Sequence, residues 1–160
     1  MAEPGLALPP GADAATCYAR VHTVALAVLD GEPNRVARMA TVSCLLAAAF
    51  PDNLWTGFYV VDPHRSRQLV VGPYQGSLGC LRIAFGQGVC GTCAETGAAQ
   101  VVADVHAFAG HIACDARSRS EIVVPVWDEA GTLLAVLDID SPNEGTFDET
   151  DAVALQALVD

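Results

Sequence analysis

Positive charge is scarce in this chain. Lys and Arg together number 8 against 19 Asp and Glu, a net charge of -11 at pH 7. Phosphate backbones are bound through clustered cations, so this balance argues against a nucleic-acid partner. It equally disfavours an anionic membrane surface. Long hydrophobic runs are missing too. The apolar stretches stop early at Gly, Pro or Asp, short of the roughly 20 residues a spanning helix needs. The first stretch, MAEPGLALPPGADAAT, has neither a basic start nor a sustained apolar segment, so no secretory signal is expected and a cytoplasmic location follows. No internal repeat is present, and no low-complexity tract lies beyond the Pro, Gly and Ala of residues 1–12. With 52% hydrophobic residues and 17% charged among 160, the chain reads as a flexible tail over 1–12 and one globular domain over 13–160.

Helical spacing of Tyr18, Val21, Ala25 and Val28 predicts a helix from Ala14 to Asp30, and a second runs from about Asn34 to Phe50. The pattern then turns to strands: LWTGFYVV (54–61), RQLVVG (67–72), LRIAF (81–85), QVVADV (100–105), EIVVPVWD (121–128) and TLLAVLDID (132–140). The last two are joined by Glu129-Ala130-Gly131, a hairpin signal. GVCGTCAETG (88–97) reads as a short helix bounded by glycines, and 108–118 as a loop. FDETDAVALQALVD closes the chain as a helix with Asp148 as N-cap and Asp151 three residues on. Helices at both ends and strands between predict an α+β domain, an antiparallel sheet with helices on one side.

Alternation along these strands sorts the polar residues. Trp55, Gly57 and Tyr59 share a face, two aromatic walls with a gap that suits a small apolar or cationic group. Asp138 and Asp140 share a face, although like charges side by side resist burial. If the hairpin closes at 129–131, Glu121 lies near them. Three crowded carboxyls could bind an ammonium group or keep one acid protonated. The plain alternatives are an aromatic core and a solvated strand end.

Six cysteines in a reducing compartment are not expected to be structural bridges. Cys17 and Cys44, among Ala, Val and Leu, read as small buried hydrophobes. Cys80, Cys90, Cys93 and Cys114 all fall in the glycine-rich or loop-bearing part. One reading is zinc, with the Cys90–Cys93 CxxC joined by Cys80, Cys114, His106 or His111, although only one close pair is present. The other is redox chemistry, with an attacking and a resolving thiol on loops.

The segments NLWTGFYVV, VGPYQGSLGCLRIAFGQGVCGT, VVADVHAFAGHIACDARSRSEIVVPV and VLDIDSPNEGTFDETD together resemble free methionine-(R)-sulfoxide reductase, a GAF-fold family. The match runs in order from about Tyr18 to Leu158. The resemblance implies a six-stranded antiparallel sheet flanked by helices, usually in a homodimer. It implies reduction of the R epimer of free methionine sulfoxide, with no cofactor and no metal, and thioredoxin as reductant. Cys114 then matches the catalytic cysteine, Cys80 the resolving one, and Cys90 the third family cysteine. Glu121, Asp138 and Asp140 match the substrate-holding acids, and Trp55 and Tyr59 the pocket for the methyl end. Cys93 stands where the family is expected to have a small residue such as Ala, and Ala109 where it is expected to have Pro. The rivals are a GAF sensory module that binds a ligand without turnover and a zinc-stabilised binding domain.

Overall fold

Each long helix is fixed at its start by the residue before it. The computed structural model describes residues 5–112 and 114–160. Asp13 accepts the Thr16 amide at 2.8 Å and opens α1 (Ala14–Val28), and Asn34 accepts the Ala37 amide at 3.1 Å and opens α2 (Arg35–Ala49). A full capping box opens α4 (Glu149–Val159): Asp148 accepts the Thr150 and Asp151 amides, and Asp151 accepts the Asp148 amide at 2.8 Å. These side chains satisfy amides that have no acceptor inside the helix.

Between α2 and α4 lie β1 (Trp55–Val61), β2 (Gln68–Gly76), β3 (Arg82–Ala84), α3 (Gly88–Thr96), β4 (Gln100–Val102), a 3-10 turn over Val105–Ala107, β5 (Ser120–Trp127) and β6 (Leu133–Ser141). The six strands form one sheet in the order β3-β2-β1-β6-β5-β4, with every pairing antiparallel. The hairpin expected at 129–131 is present, with the Asp128 side chain accepting the Ala130 and Thr132 amides at 3.0 and 2.8 Å.

Two strand ends differ from expectation by more than one residue. The second strand, expected over 67–72, runs past Pro73, which has no amide to give to a ladder. It continues to Gly76 because the register shifts between Gly57 and Tyr59, leaving Gly72 and Pro73 in a bulge where no donor is required. The Ser43 hydroxyl on α2 lies between the Met39 carbonyl at 2.8 Å and the Pro73 carbonyl at 3.2 Å, which sets the helix against this bulge. QVVADV is strand only over Gln100–Val102, because the Asp104 side chain accepts the His106 amide at 3.0 Å and turns the chain into the 3-10 segment.

The expected one-sided helix packing holds for α1, α2 and α4, which cover one face around Val21, Leu46, Phe58, Ile122, Leu137 and Leu155. It does not hold for α3. This helix packs on the other face with Trp55, Tyr59, Leu69, Ile83, Val123 and Val136. It can lie that close because Gly91 has no side chain: a Cβ there would stand 2.3 Å from the Ala84 carbonyl oxygen. Of the segment before α1, residues 1–4 fall outside the described residues, and Leu6, Leu8 and Ala12 pack against the helical core. Cys17 is buried as expected, but Cys44 is exposed, because α2 turns Val42, Ser43 and Leu46 inward and leaves position 44 on its outer side.

Candidate active site

Strand register assembles the site. Trp55 on β1 pairs with Asp140 on β6, and Asp140 pairs with Glu121 on β5, so one row across three strands carries an indole and two carboxyls. The next row is Gly57, Asp138 and Val123. All point to the face that α3 covers only in part. Cys90, in the first turn of α3, reaches this cluster and donates to Glu121 Oε1 at 3.9 Å. The pocket is walled by these residues, by Tyr59, and by the loops that carry Cys80 and Cys114.

The aromatic pair differs from the expected slot. Trp55 and Tyr59 stack on each other, centroids 5.2 Å apart, so they form one wall with no gap between them. A third ring, Tyr74, stacks on Trp55 at the same distance. Gly57 makes room for Tyr74, whose Cβ would lie 2.2 Å from any Cβ at position 57. The Trp55 Nε1 is buried without a partner. Gly79 crosses the edges of these rings, where a Cβ would sit 2.8 Å from the Tyr59 hydroxyl and 3.0 Å from Trp55 Nε1. That close approach sets the position of the next residue, Cys80.

Cys80 and Cys114 form a disulfide with their Cα atoms 5.3 Å apart. One lies in the β2–β3 connection and the other in the loop before β5, so the bond ties together two segments that border the pocket. The zinc set suggested by CxxC is not what the described residues assemble. Cys80 and Cys114 are bonded to each other, and Cys93 is fully buried in the apolar packing behind α3. Cys90, Glu121 and Asp138 do bring a thiol and two carboxyls within 4.8 Å of one another.

The electrostatics follow from burial of acids that, among the described residues, pair with no Lys or Arg. Asp138 and Glu121 are buried, and their carboxyls are held well above the usual range, first by desolvation and then by neighbouring acids. Asp140 is pushed up to about 6 by burial, opposed by a 2.6 Å hydrogen bond from the Ser118 hydroxyl. Cys90 is likewise raised, by burial and by the acids, so it is a protonated thiol. Burial pushes Cys93 up to about 12. His111 Nε2 lies 3.8 Å from Glu121 Oε2, with its pKa lowered by burial and by nearby His106. The reading of the sequence missed Ser118, Tyr74 and Gly79. The glycine-rich run around Gly79 was a signal, since close backbone approach demands glycine; the serine carried none.

A six-stranded antiparallel sheet with a partly covered pocket on the α3 side is the architecture of a GAF domain, and the GAF domain family model matches residues 36–160. Within that class the chain is similar to the free methionine-R-sulfoxide reductase of Escherichia coli, 42% identical over 142 residues that cover 89% of this chain and 84% of the relative. The Saccharomyces cerevisiae protein of the same name is 42% identical over 133 residues, 81% of this chain and 74% of the relative. The X-ray structure of free methionine-R-sulfoxide reductase from Neisseria meningitidis in complex with its substrate matches with a TM-score of 0.90 and 44% identity, covering 97% of this chain and 90% of that one. The chain belongs to the free methionine-R-sulfoxide reductase family of GAF domains.

Proposed function

We propose that this chain reduces free L-methionine-(R)-sulfoxide to L-methionine. The observation that carries this reading is the convergence of three acids, none paired with a Lys or Arg among the described residues, on one pocket bordered by the loops of a disulfide-forming cysteine pair. A free amino acid is a zwitterion. Its ammonium group suits carboxylates that pair with no Lys or Arg among the described residues, and its carboxylate suits the N-terminus of α3, whose Gly88, Val89 and Cys90 line the same pocket. The stacked Trp55–Tyr59 wall offers an apolar surface to the methyl end.

In this mechanism the Cys114 thiolate attacks the sulfoxide sulfur. The sulfur–oxygen unit is a poor leaving arrangement until its oxygen is protonated, and the raised pKa of Glu121 and Asp138 suits these acids to supply that proton. Methionine departs and the oxygen remains on Cys114 as a sulfenic acid. The Cys80 thiol attacks that sulfur, water leaves, and the disulfide forms. A dithiol reductant of the thioredoxin kind then restores both thiols by exchange. Neighbouring Cys90 stays protonated in this scheme and lines the site. A peptide-bound sulfoxide would bring an amide instead of an ammonium group to the acids, which accounts for selectivity toward the free amino acid. We extend the reading to a cytoplasmic homodimer; no helix of the described residues is long and apolar enough to cross a membrane.

The test is NADPH consumption with thioredoxin and thioredoxin reductase, comparing the free R epimer, the free S epimer and a peptide-bound sulfoxide. Turnover of the free R epimer alone is expected. Stoichiometric ligand binding with no thiol consumption would instead make the chain a sensory module.

A further inference from the structure

The three acids are not held alike. Glu121 meets the Cys90 thiol at 3.9 Å on one oxygen and His111 at 3.8 Å on the other. Asp138 has a buried Oδ1 with no partner. Asp140 accepts a short 2.6 Å hydrogen bond from Ser118, a buried residue four positions after Cys114. We propose that Ser118 is a positioning residue that keeps Asp140 oriented and ionised toward the substrate's ammonium group, from the fixed root of the loop that carries Cys114. The inference rests on the reading of this pocket as a methionine sulfoxide site.

The root is fixed by backbone bonds on both sides. The Arg119 amide donates to the Ser141 carbonyl at 2.8 Å, and the Arg119 carbonyl accepts from the Val105 amide at 2.9 Å. Arg119 also pairs with Glu144. Ser118 therefore stays against β6 whether or not Cys114 is bonded to Cys80. The charged and titratable groups that face Asp140 are Glu121 beside it on β5, Asp138 on its own strand, Tyr59 on β1, Cys90 on α3 and Asp115 on the loop. Burial and the Asp115 charge oppose its ionisation. Arg117 is turned toward Asp115, at 2.7 Å, and not toward Asp140. The Ser118 hydroxyl is thus the hydrogen-bond donor that favours the charged form, and a hydrogen bond to a charged acceptor is the stronger kind. Ser120, two residues on, shows the contrast: its hydroxyl donates to the Asn143 backbone carbonyl and serves only to hold a turn.

The test uses the reduced full chain with dithiothreitol as reductant, so that no protein partner enters the measurement. Ser118→Ala should raise KM for the free R epimer on the order of tenfold near pH 6 while leaving kcat nearly unchanged. It should also move the acid limb of kcat/KM to higher pH, because Asp140 then binds its proton more tightly. Ser118→Thr, which keeps the hydroxyl, should restore both. A Ser118→Ala profile that overlays the native one, or a folded Ser118→Thr that restores neither, would overturn the proposal. Carbon-13 titration of the carboxyls in the native chain needs neither turnover nor a stable variant. Asp140 should be the first of the three acids to ionise; if it is the last, the proposal fails. Absence of native turnover on every sulfoxide would overturn the reading of the site and leave that titration to judge Ser118 alone.

Discussion

Along β6, Leu137 and Ile139 enter the layer of α1, α2 and α4, while Asp138 and Asp140 enter the pocket under α3. Both sides of the strand are close to dry: Leu137 is 1% exposed and Asp138 is 4%. The helical side exchanges water for apolar contacts and gains stability. The pocket side exchanges water for neighbouring acids and loses it. One strand thus carries stability on one set of alternate residues and, in the proposed mechanism, chemistry on the other. The same division runs through β1, where Phe58 faces the helices and Trp55 and Tyr59 face the pocket.

The largest expected effect that separates the two faces is at the thiol above the pocket. Cys114→Ser should reduce turnover to background while the circular dichroism spectrum and the reduced-state stability stay close to native, because a hydroxyl is a far weaker nucleophile. Full turnover in this variant would remove Cys114 from the reaction. Next is Asp138→Asn, expected to lower kcat by about a hundredfold or more. The same change should stabilise the fold at neutral pH, on the order of 1 kcal/mol or more, since it removes an ionisable group whose charge is opposed by burial. Chemical denaturation alongside kinetics would check this. Equal losses of activity and stability would mean that Asp138 supports the fold.

The acids also set a pH dependence that runs opposite to ordinary acid denaturation. Their folded pKa values are raised, so the folded state holds protons that the unfolded chain has released. The associated stability is complete below the ordinary carboxylate value of 3.8 and is lost as pH rises through about 6 for Asp140, and further upward for Glu121 and Asp138. Denaturation midpoints of the reduced chain should therefore fall from about pH 4 to about pH 7, and Asp138→Asn should flatten that slope. On the helical face the balance reverses. Leu137→Ala should cost about 2–5 kcal/mol of stability, with kcat unchanged below the melting transition. A loss of kcat in the folded variant would show that the two faces are coupled.

Much of this contrast was legible in the sequence. The alternation in TLLAVLDID separates leucine and isoleucine from aspartate, and the hairpin at 129–131 brings Glu121 to the acids. These are local patterns read with a period of two. The Cys80–Cys114 pairing was legible only through family resemblance, because 34 residues separate the two and loop paths are not periodic. The Ser118–Asp140 bond spans 22 residues and depends on where a loop re-enters the sheet, which spacing does not encode. Placement of α3 was obscured for a different reason. Its Gly, Cys, Ala and Thr residues are small on every side, so no stripe marks the face it buries. The bulge at Gly72–Pro73 was hidden because it arises from a register shift between two strands, which no local pattern encodes.

The smallest expected effect is at Cys93, which lies behind the pocket wall and tests where the chemistry stops. It is one helical turn from Cys90, and the CxxC spacing alone makes the pair a candidate for an alternative disulfide. Its surroundings argue against that. Cys93 is fully buried among apolar residues, and its thiol is pushed up to about 12 by desolvation first and by Asp138 second. At neutral pH it is therefore a neutral thiol and a poor partner in exchange, which proceeds through thiolate. It acts as a small hydrophobe on the stability side of α3. Cys93→Ala should cost about 1 kcal/mol in denaturation and leave turnover with thioredoxin within a factor of about two. If turnover instead stalls with thioredoxin while dithiothreitol still supports it, Cys93 passes electrons to the pocket, and the boundary between the two functions lies one layer deeper than the geometry places it.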